Sequence, residues 1–170
     1  MKRISLDPLS DECHEIEKMK EVRCDNIIEY YRYSVEGNEA NIIMKLCSGS
    51  LRDMMKDREV KFDEEKILSL ITQVTNAMLV LDANRIMHLD LKPENILFEN
   101  ADYFKVCDFG CIKKAQYQTM INIRNSESSP VKLSSRNFGT PKYVSPEIII
   151  DRKLMHKNSC DMWSLGVIIY

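Results

Sequence analysis

The sequence predicts an α+β fold, β-rich in its first third and mainly helical beyond it, and three patterns predict this. Ile27 to Val35 and Asn41 to Cys47 are β-rich runs on either side of Glu36-Gly37-Asn38-Glu39, a combination that reads as a hairpin. Between Asp63 and about Asn84, the residues Ile67, Leu70, Ile71, Val74, Met78 and Leu81 recur at i, i+3, i+4 spacing, the stripe of an amphipathic helix packed on a core. Two further short apolar runs, Ile96 to Phe98 and Tyr103 to Cys107, flank the polar Glu99-Asn100-Ala101-Asp102 and predict a second hairpin.

The other elements follow in order. Residues 9 to 23 read as a helix capped by Ser10 or Asp11, with Ile16, Met19 and Val22 on one face and Glu15 at the border of that stripe. Ser50-Leu51-Arg52-Asp53 has the form of a capping box, because a serine side chain can accept the backbone N–H three residues on, and starts a short helix through about Asp57. The segment from Cys111 to Val144 is the least regular. Its polar stretch Asn122 to Asn137, with Ser126, Ser128, Ser129, Ser134 and Ser135, is too poor in apolar residues to order itself, and is either a phosphorylated segment or an ordinary insert. Asp161 to Tyr170 begins an apolar helix.

The 170 residues have the length of one domain, and 44% hydrophobic with 29% charged residues is ordinary for a globular protein. A net charge of −2 gives no electrostatic case for a nucleic-acid partner. No apolar run approaches the roughly 18 residues of a membrane span, and the start of the chain lacks a signal-peptide core, so neither membrane nor export is expected. The six cysteines, Cys13, Cys24, Cys47, Cys107, Cys111 and Cys160, are scattered without metal-ligand spacing, which fits reduced thiols in the cytoplasm or nucleus. Cys107 and Cys111 straddle Asp108-Phe109-Gly110, either as oxidation-sensitive thiols or as small packed residues.

The second hairpin carries the chemistry. Asn95 and Asp108 stand just outside its two strands, and because antiparallel strands lie about 5 Å apart, the residues at its open end come together. An amide oxygen and a carboxylate so placed suit Mg²⁺, which takes one or two carboxylates from a protein and completes its shell with water and phosphate.

At this point the sequence resembles a family. His88-Leu89-Asp90, Leu91-Lys92-Pro93-Glu94-Asn95, Asp108-Phe109-Gly110, Gly139-Thr140-Pro141-Lys142-Tyr143, Ser145-Pro146-Glu147 and Asp161-Met162-Trp163-Ser164-Leu165-Gly166 resemble, in order and spacing, the signatures of eukaryotic protein kinases. Lys92-Pro93 points to the serine/threonine branch. The resemblance implies a protein-kinase-like fold, with about 1–47 as the remnant of a small β-rich lobe and hinge and 48–170 as part of a larger helical lobe. It implies transfer of the γ-phosphoryl of ATP to Ser or Thr hydroxyls of protein substrates, with Mg²⁺. The oligomeric state is left open.

The same resemblance implies the roles. Asp90 would accept or orient the substrate hydroxyl proton, and Lys92 would neutralise the transferred phosphoryl. Asn95 and Asp108 would hold Mg²⁺, while Lys2, paired with Glu15, would hold the nucleotide phosphates. Met44 would be the gatekeeper, Lys45-Leu46-Cys47 the adenine-binding hinge, and Leu97 the apolar floor beneath adenine. Thr140 would shape the site for a Ser or Thr hydroxyl. Glu15 as a surface glutamate and Lys2 as a charged terminus are the plain alternatives.

Two departures from the family pattern matter. Leu89 replaces the arginine that pairs with a phosphate on the activation segment in many kinases, so switching by phosphorylation there is expected to be weak or absent. No glycine-rich strand-loop-strand precedes Lys2, and the helices that follow Asp161 in the family are not in the sequence. Trp163, Leu165, Val167, Ile168, Ile169 and Tyr170 are therefore expected to lack much of their packing, and Glu147 to carry a charge without its partner. A non-catalytic kinase-like module is the competing reading.

Overall fold

The computed structural model describes residues 2–5, 20–37, 39–84, 86–108, 140–150 and 159–170. Within them the elements are β1 (Lys2–Ser5), β2 (Tyr30–Glu36), β3 (Glu39–Met44), β4 (Gly49–Ser50), α1 (Leu51–Lys56), α2 (Glu64–Ala83), a 3₁₀ turn (Pro93–Asn95), β5 (Ile96–Asn100), β6 (Tyr103–Val106), α3 (Pro146–Ile150) and α4 (Ser159–Ile169). The fold is α+β, with two antiparallel three-stranded sheets in the orders β1-β3-β2 and β4-β5-β6. Glu15, Phe109, Gly110, Cys13, Cys111 and the serines from Ser126 to Ser135 lie outside the described residues, as does most of the expected helix over 9 to 23, of which Lys20 and Glu21 are described and helical.

The first hairpin is present with different limits. Its first strand begins at Tyr30 and not at Ile27, because the preceding backbone is already committed to the other sheet: Ile28 N–H donates to Val106 O at 2.9 Å and Val106 N–H to Asn26 O at 2.8 Å. The second strand ends at Met44 and not at Cys47. Lys45 N–H still reaches Glu29 O at 2.9 Å, after which the chain leaves the sheet. Gly37, at φ 60°, takes the left-handed turn position that costs a glycine nothing.

The helices follow their caps. Ser50 and Asp53 form the reciprocal capping box of α1, and Asp63 accepts Lys66 N–H at 2.9 Å to start α2. Along α2 the buried side is Leu70, Val74, Ala77, Met78 and Leu81, while Ile67 and Ile71 of the expected stripe are half-buried. These residues share one core with Ile27, Ile28, Leu51, Ile96, Phe104 and Val106, each large side chain contributing about 1.5–3 kcal/mol by leaving water.

A polar tie fixes α2 to the second hairpin. Gln73 Oε1 accepts from Asn26 Nδ2 (3.0 Å) and from Phe104 N–H (2.8 Å), and Asn26 Nδ2 also reaches Phe104 O (3.1 Å). The hairpin itself runs Ile96 against Val106 and Phe98 against Phe104. On its other side Gly49 lies so close to Phe98 that an added Cβ would stand 2.9 Å from the ring, so any side chain there requires the ring to move.

Two expectations for the end of the chain are corrected. Trp163, Ile169 and Tyr170 are exposed, but Leu165 is only 2% exposed, because α4 packs against α2 and turns Leu165 into the main core. Glu147 is half-exposed, so its charge does not bear the cost of full burial, and Cys160 Sγ donates to its Oε1 at 3.4 Å.

Candidate active site

The loop from Ile86 to Lys92 follows α2 and leads into the hairpin, and a buried carboxylate from α4 holds it in shape. Asp161, 2% exposed, accepts His88 N–H on Oδ2 and Leu89 N–H on Oδ1, both at 2.8 Å. Ionised acceptors make hydrogen bonds roughly twice as strong as neutral ones, and Asp161 sits in the first turn of its helix, where the dipole favours negative charge.

His88 is the second fastener. Its ring is fully buried; Nδ1 accepts Asp90 N–H at 3.3 Å, so the ring proton belongs on Nε2, which donates to Cys107 O at 2.9 Å. The imidazole thus ties the loop bearing Asp90 to the residue before Asp108. Leu89, between these fasteners, adopts φ 61° and buries its side chain with Met87, Ile148 and Cys160. Asp108 adopts φ 62°, and its N–H donates to the Tyr30 hydroxyl at 3.3 Å. A non-glycine residue held at positive φ costs about 1–2 kcal/mol, and the two that bear this cost among the described residues are the residue before Asp90 and Asp108 itself.

At Asp90 three side chains close a triangle. Lys92 Nζ donates to Asp90 Oδ2 (2.8 Å) and to Thr140 Oγ1 (3.0 Å), and since the ammonium can only donate, the Thr140 hydroxyl passes its own proton to Asp90 Oδ1 (3.0 Å). Asp90 and Lys92 retain 19% and 23% side-chain exposure, so the pair is open to a ligand. Asn95 is buried and donates Nδ2 to Asp90 O (2.8 Å) and Asp90 Oδ2 (3.4 Å), which orients its amide and leaves Oδ1 as its acceptor. Asn95 O in turn accepts Cys107 N–H at 2.9 Å, placing Asp108 one residue beyond the closing pair of the hairpin.

Lys92, Thr140 and Asn95 are therefore all brought onto Asp90, and Asp108 follows Cys107, whose N–H bonds Asn95 O. Met44 ends β3 and Leu97 lies on β5 opposite Lys105; both are half-buried against the main core. After Met44 runs Lys45-Leu46-Cys47, held at its ends by Lys45 N–H to Glu29 O and Ser48 N–H to Phe98 O, both 2.9 Å. Among the described residues, no hydrogen bond engages the backbone groups of Leu46 or Cys47. The Cys47 thiol is pushed up in pKa, first by burial and then by Glu99. Lys2 lies in β1 opposite Ile42, but its side chain, like the whole of Glu15, lies outside the described residues, so their pairing does too.

The donor set fits a nucleotide with its metal. A backbone strap with unengaged polar groups suits the edge of a planar base, and one carboxylate with one amide oxygen suits a hard cation that takes the rest of its shell from phosphates and water. Among the described residues no group of three or more His, Cys, Asp or Glu could make a closed metal site of the structural kind.

Asp161, His88, Tyr30 and Glu99 were not singled out as site residues by the sequence. Asp161 and His88 stand in recognisable motifs, yet their partners lie 73 and 19 residues away, beyond any local periodicity.

The family model described as "Protein kinase domain" matches residues 1–170. Serine/threonine-protein kinase 36 of Pongo abelii is 31% identical over 92% of the chain, which spans 11% of that protein. Serine/threonine-protein kinase TIO of Arabidopsis thaliana is 30% identical over 92% of the chain, again 11% of that protein. Serine/threonine-protein kinase pakE of Dictyostelium discoideum is 34% identical over 98% of the chain and is spanned to 17%. The chain thus spans less than a fifth of the length of each of these relatives.

Proposed function

Because the chain belongs to the protein kinase domain family, we propose that it is the catalytic part of an ATP-dependent protein serine/threonine kinase, with 1–47 as small lobe and hinge and 48–170 within the larger lobe. The observation that carries the proposal is the Asp90–Lys92–Thr140 triangle. There an aliphatic hydroxyl already donates to Asp90 while an ammonium contacts its oxygen, which is the arrangement a substrate Ser or Thr requires.

ATP with Mg²⁺ supplies the phosphoryl group and offsets its charge when bound. Asp90 orients the acceptor hydroxyl and takes its proton, and Lys92 neutralises the developing negative charge. Asn95 Oδ1 and the Asp108 carboxylate would hold the metal, with Asn95 kept in orientation by the Asp90 carbonyl. The strap from Lys45 to Cys47 receives the adenine edge through its backbone, Met44 bounds the pocket and Leu97 lies beneath the base. The resemblance assigns the nucleotide phosphates to Lys2 paired with Glu15. The relatives' names support protein Ser or Thr residues as acceptors. Free thiols at Cys24, Cys47, Cys107 and Cys160 support a reducing compartment, cytoplasm or nucleus.

Thermal unfolding in the presence of Mg·ATP tests the proposal. A nucleotide site gains about 2.7 kcal/mol of stability at a ligand concentration 100 times its Kd, so the midpoint must climb with ATP. A chain whose midpoint does not move at millimolar Mg·ATP, and which transfers no phosphoryl to a Ser/Thr peptide mixture, is a non-catalytic kinase-like module.

A further inference from the structure

The strap between Met44 and Ser48 is held from outside by a charged cluster that the catalytic reading does not use. Lys45 Nζ lies 2.8 Å from Glu99 Oε1, and Lys105 Nζ lies 3.4 Å from the same oxygen. Lys105, with a side chain only 5% exposed, also donates to the Asp25 carbonyl and stands 5.3 Å from the centre of the Tyr103 ring. At the other end of the strap, Ser48 Oγ donates to the Glu99 carbonyl at 2.8 Å and Ser48 N–H to Phe98 O at 2.9 Å. One residue of β5 therefore grips both ends of the strap, by its carboxylate at Lys45 and by its carbonyl at Ser48.

We infer that Glu99 is a positioning residue for nucleotide binding, which uses the Lys45 ammonium to hold the backbone of Leu46 and Cys47 in place for a planar heterocycle. The inference rests on the nucleotide-site reading above. Its physical basis is preorganisation. A strap fixed before binding loses less freedom on binding, and Leu46, whose side chain is 92% exposed, adds no packing of its own. Glu99 is itself fixed, since buried Lys105 shares its oxygen and is anchored to Asp25. Electrostatics agree: Glu99 is held below the usual carboxylate range, first by its bond with Lys45, and Lys45 is raised in turn, first by Glu99.

The test is a double-mutant cycle in the full-length chain, with Kd for a non-hydrolysable ATP analogue with Mg²⁺ measured by calorimetry and unfolding followed separately. Glu99→Gln and Lys45→Gln are each expected to weaken binding by about fivefold, the upper end for a partly exposed pair, and the double variant no further than either alone. Glu99→Asp, which keeps the charge, recovers part of the loss. A merely structural Glu99 would lower the unfolding midpoint and leave Kd where it was, and that result overturns the inference. Additive losses in the double variant overturn it as well, because they place the two side chains in separate roles. If the unsubstituted chain binds no nucleotide, it is the nucleotide-site reading that fails, and the inference falls with it.

Discussion

The carboxylate of Asp161 receives the backbone N–H of Leu89 at 2.8 Å across 72 residues of sequence, and with the neighbouring N–H of His88 on its other oxygen it sets the course of the loop that carries Asp90. Replacing it by alanine leaves two buried N–H groups without acceptors, at about 1–3 kcal/mol each. Asp161→Ala is therefore expected to lose about 2–5 kcal/mol in urea unfolding. Asp161→Asn, which keeps one acceptor oxygen, is expected to lose about half of that. An unchanged midpoint in the alanine variant would show that the loop holds its course without this carboxylate.

The triangle predicts a separation of binding from chemistry. Asp90→Asn removes the proton acceptor but keeps the size of the side chain, so phosphoryl transfer is expected to fall by about 10²–10⁴-fold while the Mg·ATP thermal shift survives. Thr140→Val removes the hydroxyl that donates to Asp90 Oδ1 and accepts from Lys92, and is expected to cost about tenfold in kcat, with Thr140→Ser near normal. Steady-state kinetics on the three variants decide it: equal losses in the Val and Ser variants would assign Thr140 to packing.

Leu89 separates this chain from kinases that place an arginine there. Its side chain is 6% exposed among Met87, Ile148 and Cys160, an apolar contact that fastens the loop where other members of the family would offer a cation to a phosphate. Leu89→Arg forces a larger side chain into that packed cluster, beside the Glu147 carboxylate bonded to Cys160, and is expected to destabilise by about 1–3 kcal/mol in denaturant titration. Phosphorylation at Ser134 or Ser135, introduced by a purified upstream kinase, is expected to change the activity of the unsubstituted full-length protein by less than about twofold. A large rise would mean that another cation captures the phosphate.

How much of this was legible in the sequence depended on how local the cause was. Asp63, Asn84 and the Ser50/Asp53 box marked the helix ends because caps act within one turn, and the second hairpin was legible from two apolar runs and a polar turn. Asp90, Lys92 and Asn95 were picked out by the resemblance of one contiguous motif, and the structure brings Lys92 and Asn95 onto Asp90. The start of β2 was misread because Asn26 to Ile28 satisfy their backbone on Val106, about eighty residues on, and β-rich side chains do not reveal which backbone pairs with them. The left-handed backbone at Leu89 and Asp108 had no glycine to announce it; tertiary bonds to Asp161 and Tyr30 hold residues of ordinary preference there. Lys45 was legible only for its backbone, because the partner of its ammonium, Glu99, lies far along the sequence.

The Lys45–Glu99 pair makes a last prediction, about pH. Glu99 has its pKa lowered in the folded chain, chiefly by Lys45, from a reference value of 4.5, so between that reference and the lower folded value the unfolded chain binds more protons than the folded one. The stabilisation is complete above about pH 4.5 and is lost as pH falls through the folded value. Lys45 runs the other way. Its pKa is raised from 10.5, so its share is complete below that reference and is lost as pH rises through the folded value. The pair therefore supports the fold across the neutral range and weakens at both extremes. Glu99→Gln should flatten the acid limb of the stability profile below about pH 4.5, measured by urea midpoints at half-unit intervals, and also the alkaline limb above about 10.5, because Lys45 has then lost the charge that raised it. Acid limbs of equal slope in the two proteins would show that the carboxylate gains nothing from the ammonium 2.8 Å away.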